Sequence, residues 1–199
     1  MEAARPLDAR LAATDLACRR GERLLFRGLS FELKAGEALQ IVGPNGTGKS
    51  SLLRILAGLM QPLAGTVDRN VSVALLDERL PLDGHLPLNR AVAFWSRLQS
   101  GHSDPNLIES NGLGRLADVP VRFLSTGQRK RAAILVSNTH NAGLWLLDEP
   151  LNGLDVNAAA DFQRLLADYL AKGGMAIIAS HQPFDVPGLR QISLQDFAA

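Results

Sequence analysis

The apolar positions of this 199-residue chain fall into two rhythms. Leu11 to Cys18 and Leu24 to Leu33 are apolar-rich runs on either side of the polar turn Arg19-Arg20-Gly21-Glu22-Arg23, and they predict a pair of strands. Ala38-Leu39-Gln40-Ile41-Val42 is a brief apolar run that stops at Gly43, while Ser51 to Ala57 has helical spacing closed by Gly58. Val71 to Leu76 predicts another strand. From Pro81 to His140 the spacing turns mostly helical, with Leu88, Ala91, Val92, Trp95 and Leu98 on one period and a break at Gly112 and Gly114. Gly143 to Asp148 then reads as an apolar strand ending in acid. Asp155 to Lys172 predicts a helix, Met175 to Ser180 a strand, and Leu189 to Leu194 a last short strand. Strands alternating with helices predict an α/β layer structure with parallel strands in its core. The length suits one domain, or one domain carrying a sub-domain.

Composition narrows the classes. Apolar residues at 46% and charged residues at 21% supply an ordinary core and argue against disorder. A formal charge of +1 gives no general electrostatic case for nucleic acid or for an anionic membrane surface. The single cysteine, Cys18, excludes an internal disulfide and the four-cysteine metal frameworks. Met1 to Arg10 holds no apolar run long enough for a signal peptide, and no run approaches the ~18 apolar residues of a bilayer span. A membrane role would pass through a partner.

Gly43-Pro44-Asn45-Gly46-Thr47-Gly48-Lys49-Ser50 fits the phosphate-binding pattern G-x-x-x-x-G-K-[ST], with an apolar strand before it and a helix after it. The glycines let successive N–H groups face phosphate oxygens, and the helix start adds its positive dipole end. Lys49 is expected to reach the β- and γ-phosphates, the Ser50 hydroxyl to ligate magnesium, and Ser51 to hold the α-phosphate. Leu144-Trp145-Leu146-Leu147-Asp148-Glu149 runs from a buried-strand pattern into two carboxylates. Asp148 is placed to hold magnesium through water, and Glu149 to act as general base or water positioner.

Leu124-Ser125-Thr126-Gly127-Gln128 contains an S-x-x-Q capping box that predicts a helix start at Ser125. Arg129, Lys130 and Arg131 crowd its first turn, where the dipole disfavours cations, so an anion nearby or plain solvent exposure is needed to explain them.

With these residues in hand, the chain resembles the ABC ATPases nearly end to end. Leu124 to Gln128 is similar to their L-S-G-G-Q signature, with Thr126 in place of the first glycine. Asn152-Gly153-Leu154-Asp155 resembles the dimer-contacting loop, and Ser180-His181-Gln182 the segment of the switch histidine. The resemblance implies a P-loop NTPase fold of the ABC type. It has a mostly parallel core sheet, an N-terminal antiparallel β sub-domain and a helical sub-domain. The expected layout is a single domain over 1–199, with the core at about 1–80 and 141–199 and the helical part at about 81–140. It also implies ATP and Mg2+ as ligands and a homodimer in the ATP-bound state. Ser125, Gly127 and Gln128 of one copy would close on the nucleotide of the other, and Asp155 would contact the partner. His181 would bond the γ-phosphate and hold Glu149 and the attacking water.

Two positions depart from that family. No glutamine lies between Gln61 and Gln99 to sense magnesium and the partner, and the corresponding segment reads Asp77-Glu78-Arg79. The adenine-stacking aromatic is replaced at Cys18 or Arg19, where the Arg19 guanidinium could stack on the base. The ~75 residues between Lys49 and Ser125 leave no room for the coiled coil of structural-maintenance ATPases. Cys18 to Phe26, Leu29 to Glu37, Gly48 to Gly58, Leu144 to Pro150 and His181-Gln182-Pro183 are more specifically similar to the haem-exporter ATPases of cytochrome c maturation. That implies integral membrane partners, a peripheral place on the cytoplasmic face of the bacterial inner membrane, and no direct haem contact by this chain. His85, His102, His140 and His181 are scattered, without a Cys-x-x-Cys-His. Another ABC transporter ATPase, an ATP-dependent dimerisation switch with little turnover, and a nucleic-acid repair ATPase are the competing classes.

Overall fold

The computed structural model describes residues 8–77, 81–100, 106–110, 112–138 and 142–198. Its elements run β1 (Arg10–Arg20), β2 (Arg23–Lys34), β3 (Ala38–Val42), α1 (Lys49–Leu56), β4 (Ala64–Arg69), β5 (Val73–Leu76), α2 (Leu88–Ser100), α3 (Leu107–Ser110), α4 (Thr126–Asn138), β6 (Leu144–Asp148), α5 (Val156–Ala171), β7 (Met175–Ala179) and β8 (Arg190–Ser193). They divide between two compact units. The first takes Met1–Asp77, Ala142–Pro150 and Phe162–Ala199; the second takes Glu78–Asn141 and Leu151–Asp161.

The first unit holds two sheets. β1 and β2 form the antiparallel hairpin that their flanking polar turn predicts, and β4 adds to the other side of β1 in the order β2-β1-β4. β4 was not anticipated from the sequence. Its residues include Gly65 and are mostly exposed, so no alternation of apolar and polar positions announces it. It is an edge strand whose place comes from pairing with β1.

The second sheet is parallel, in the order β5-β6-β7-β3-β8. Every residue of β6 and β7 is buried, as strands covered on both faces require. α1 sets Leu52, Leu53, Ile55 and Leu56 into the same core as Leu39, Ile41, Leu144, Leu146, Met175 and Ile177. Trp145 of β6 stacks on Tyr169 of α5 at 4.0 Å, and the Tyr169 hydroxyl donates to Ala142 O at 2.8 Å. This order puts the loops after β3, β6 and β7 side by side at the C-terminal ends of their strands, where parallel sheets gather ligands.

The second unit packs α2, α3 and α4 around Leu88, Ala91, Val92, Ile108, Leu113, Leu124, Ala132, Leu135 and Val136. Trp95 lies against this core, and its indole N–H donates to Pro81 O at 2.6 Å. Phe94, one residue before, is 58% exposed. His85 pairs with Arg122 at 2.8 Å; His102 and His140 lie outside the described residues. Among the described residues no helix is long and apolar enough to cross a membrane.

Candidate active site

β3 runs between β7 and β8 and ends at Val42, so the loop Gly43–Gly48 is anchored on an interior strand of the sheet. Gly48 closes the loop at φ 108, and a β-carbon there would lie 3.2 Å from both Leu25 and Phe26; the chain passes only as glycine. The Thr47 hydroxyl donates to Pro44 O at 2.9 Å. The Lys49 ammonium is buried inside the loop and donates to Gly43 O at 2.7 Å and Pro44 O at 3.2 Å. The Leu52 N–H donates to Gly48 O at 2.8 Å as the first intrahelical bond of α1. The amides of Lys49, Ser50 and Ser51 therefore stand at the helix start, beyond reach of an intrahelical acceptor, and form an anion-binding face. Ser50 is exposed at this edge, whereas Ser51 is buried beside the Cys18 thiol, to which it hydrogen-bonds. Asn45 and Gly46 form the exposed tip, where the Arg23 guanidinium lies 4.0 Å from the place a β-carbon of Gly46 would take.

Asp148 ends β6 beside Ala179 of β7 and is nearly buried. Glu149 follows with φ 45, a left-handed conformation that costs a β-carbon residue about 1 kcal/mol or more. Its backbone N–H donates to Ala179 O at 2.8 Å. Its carboxylate accepts from the Ser180 hydroxyl at 3.1 Å and sits 3.1 Å from His181 Nδ1. Ser180 is fully buried, and its oxygen also accepts the Gln182 N–H at 3.1 Å. The structure thus brings Glu149 and His181 together, with the histidine side chain 62% exposed and the glutamate 15% exposed. Two contributors escaped the sequence reading. In the sequence Ser180 stands only as the strand end before His181, and Gln40 only as a member of the apolar run before Gly43. Gln40 is buried in β3 and donates to Ser180 O at 3.2 Å and Gln182 O at 2.8 Å.

In the second unit the capping box forms in both directions. Ser125 N–H donates to Gln128 Oε1 at 2.9 Å, and Gln128 N–H donates to Ser125 Oγ at 3.2 Å. A β-carbon on Gly127 would lie 2.8 Å from Gly153 O, so the helix start and the 151–155 loop meet through paired glycines. Lys130 donates to Asn152 O at 3.1 Å, and Arg131 lies 3.5 Å from the Asp155 carboxylate. These two cations of the crowded first turn are therefore answered by their own chain. Asp155 is also the N-cap of α5, its Oδ1 accepting the Ala158 N–H at 2.8 Å, which is why the helix begins one residue later than its pattern suggests.

The two departures resolve differently. Cys18 points into the core and is 1% exposed, so it offers no face to a base; Arg19, opposite Leu24 at the end of β1, is exposed. Burial pushes the Cys18 thiol up, against smaller downward pulls from Ser51 and Arg20. Asp77 pairs with Arg54 of α1 at 3.3 Å, tying the end of β5 to the helix that starts at the phosphate loop. Glu78 and Arg79 lie outside the described residues. For magnesium, the chain offers the hard oxygens of Ser50 and Asp148. Among the described residues no group of three or more His, Cys, Asp or Glu side chains is arranged to hold a metal ion. Such a sparse oxygen set fits an ion that draws most of its shell from phosphate and water.

The family profile described as "ABC transporter" matches residues 26–152. A cytochrome c biogenesis ATP-binding export protein CcmA from Novosphingobium aromaticivorans is 54% identical over 188 residues, covering 94% of this chain and 96% of that protein. Proteins of the same name from Zymomonas mobilis and Sphingopyxis alaskensis are 46% and 47% identical, over 96% and 92% of this chain and 87% and 95% of their own lengths. Among solved structures, an ABC transporter ATP-binding protein from Pyrococcus furiosus superposes with a TM-score of 0.83 at 19% identity, covering 96% of this chain and all of that one. A metal-chelate type ABC transporter in an inward-facing conformation gives 0.75 at 24% identity, over 94% of this chain and 80% of its own. These structural likenesses establish the fold alone, with the five-stranded parallel and three-stranded antiparallel sheets in agreement. The sequence likenesses go further: the chain belongs to the ABC transporter ATP-binding family, in the branch of the cytochrome c biogenesis ATP-binding export proteins.

Proposed function

We propose that this chain binds ATP with magnesium and hydrolyses it to ADP and phosphate as the ATPase subunit of the haem exporter of cytochrome c biogenesis. The observation that carries the chemistry is the Glu149 carboxylate, held by the Ser180 hydroxyl and His181 at the end of β7, the strand that pairs with the one feeding the phosphate loop. Gly43 to Ser51 cradle the phosphates, with Lys49 turning its ammonium from Gly43 O and Pro44 O toward them. Ser50 and Asp148 hold magnesium, which supplies charge neutralisation on the transferring phosphoryl group when bound. Glu149 orients a water and takes its proton, and His181 keeps Glu149 aimed while bonding the γ-phosphate. Arg19 stacks on the base.

Ser125, Gly127 and Gln128 present a second anion face at the start of α4, and they serve the nucleotide of a second copy in a head-to-tail dimer. Asp155 lies in the adjoining loop and contacts that copy. The membrane partners dock on the second unit. There Leu86, Arg90, Ala93, Phe94, Arg97 and Leu98 line an open cleft of about 650 Å³, with Phe94 and Leu98 58% and 67% exposed. The complex places this chain at the cytoplasmic face of the inner membrane as a peripheral subunit.

Glu149→Gln tests the reading. The variant keeps ATP binding, loses about a hundredfold or more in turnover, and accumulates as an ATP-bound dimer that copurifies with integral membrane subunits from gently solubilised membranes. Undiminished turnover would remove Glu149 from the chemistry, and a different permease among the companions would overturn the haem assignment.

A further inference from the structure

β3 is apolar except for one residue. Gln40 sits at its centre, 4% exposed, in register with Ile178 of β7 and Gln191 of β8. A buried amide costs free energy unless it is bonded, so its partners point to its role. Its Nε2 donates to Ser180 O at 3.2 Å and to Gln182 O at 2.8 Å, the two carbonyls that flank His181. Both donors of one amide are thus spent on drawing together the two sides of the turn that carries His181. The neighbouring residue adds a third tie, Ile41 O accepting the Ser180 N–H at 3.3 Å. Above these ties, the Ser180 hydroxyl reaches Glu149 and accepts the Gln182 N–H, and His181 lies against Glu149. Three residues after Gln40 the same strand becomes Gly43 of the phosphate loop.

We propose that Gln40 is a positioning residue: it fixes the His181 turn, and through it Glu149, to the strand that carries the phosphate loop. The inference rests on the ATPase reading above. Gln40 works through the turn: it sets where His181 and Glu149 stand when the γ-phosphate lies in the loop. Removing its donors releases the turn and misplaces His181 while the phosphate loop and its affinity persist.

The test is a double-substitution cycle in the full chain, with ATP binding and turnover measured separately. Gln40→Met keeps the volume and removes both donors. It lowers kcat about tenfold while the Kd for ATP stays within about twofold. In a His181→Ala background the same change costs less than about twofold, because the group it acts through is already gone. Equal factors in both backgrounds would show a general loss of structure and overturn the proposal. Amide exchange supplies an independent readout: the Gln182 N–H exchanges at least about tenfold faster in Gln40→Met, with protection across β6 unchanged. Unchanged protection at Gln182 would likewise overturn it. Should Gln40→Met fail to fold, Gln40→Asn, which keeps the amide one carbon short, is read in the same cycle and the same exchange experiment. If His181→Ala and Glu149→Gln both turn over normally, the ATPase reading fails, while the exchange at Gln182 still decides whether Gln40 holds the turn.

Discussion

Asp155 is a position where two roles must be pulled apart before any variant is interpreted. Within its own chain it does two things: its Oδ1 caps α5 through the Ala158 N–H at 2.8 Å, and it faces Arg131 at 3.5 Å. The cap is the larger contribution. Replacing an aspartate cap with alanine costs about 1 kcal/mol, within a range of roughly 0.5–2. The pair with Arg131 is discounted because its side chains are 34% and 72% exposed. An ion pair so open to solvent falls at the low end of the roughly 0.2–1 kcal/mol of exposed pairs, about 0.3 kcal/mol here. Asp155→Ala should therefore lose about 1 to 1.5 kcal/mol, whereas Asp155→Asn keeps the capping oxygen and loses about 0.3 kcal/mol or less. Urea unfolding of both variants in parallel, without nucleotide, measures this directly. Equal losses in Asn and Ala would refute the capping argument, and so would an Ala loss no larger than the ion pair can explain. The outcome bears on function too. A fall in turnover of Asp155→Asn at nearly unchanged stability is the signature of a contact with a second copy, whereas a fall in Asp155→Ala alone reports a frayed helix.

Three further expectations are open to simple measurement. Gly127→Ala drives a β-carbon to 2.8 Å from Gly153 O, and the shift of α4 against the 151–155 loop costs about 1–3 kcal/mol in denaturant unfolding; a neutral result would mean the two glycines do not meet. Burial raises the Cys18 thiol above its ordinary value. Its contribution to stability is thus whole below the ordinary thiol range and lost as pH rises through it toward the raised value. Unfolding midpoints at about pH 8 and about pH 10 should diverge more in the parent than in Cys18→Ala, and parallel shifts would contradict this. Glu149→Gly relieves the left-handed strain at φ 45. It should hold or raise the melting temperature, worth up to about 1 kcal/mol, while turnover disappears; a clear loss of stability would show that the Ser180 and His181 bonds outweigh the strain.

What the sequence makes legible is what is local. The phosphate loop is eight consecutive residues between a strand and a helix, and each of its demands falls on a neighbour. The capping box is legible for the same reason, since Ser125 and Gln128 satisfy each other across one turn. The sequence leaves the place of the missing aromatic open between Cys18 and Arg19; the burial of Cys18 and the exposure of Arg19 leave Arg19 as the side chain open to a base. The cations Lys130 and Arg131 suggested an external anion because their partners, Asn152 and Asp155, stand more than twenty residues away. β4 had no signature because an exposed edge strand needs no apolar alternation. The ties from Gln40 to the His181 turn span 140 and 142 residues and exist only once the sheet has formed.

The strand order also dictates when the site can come into being. β3 lies between β7 and β8, which follow every other strand among the described residues. During synthesis the phosphate loop leaves the ribosome well before the strands that flank it, and β3 has no neighbour in its sheet until residues beyond Met175 have emerged. Until then the nascent chain holds a complete phosphate-binding sequence and no phosphate-binding site. Truncation before β7 leaves β3 without either flank, and such fragments should not retain nucleotide. The phosphate-binding site therefore comes into being with the closing of the sheet, not with the emergence of its own loop.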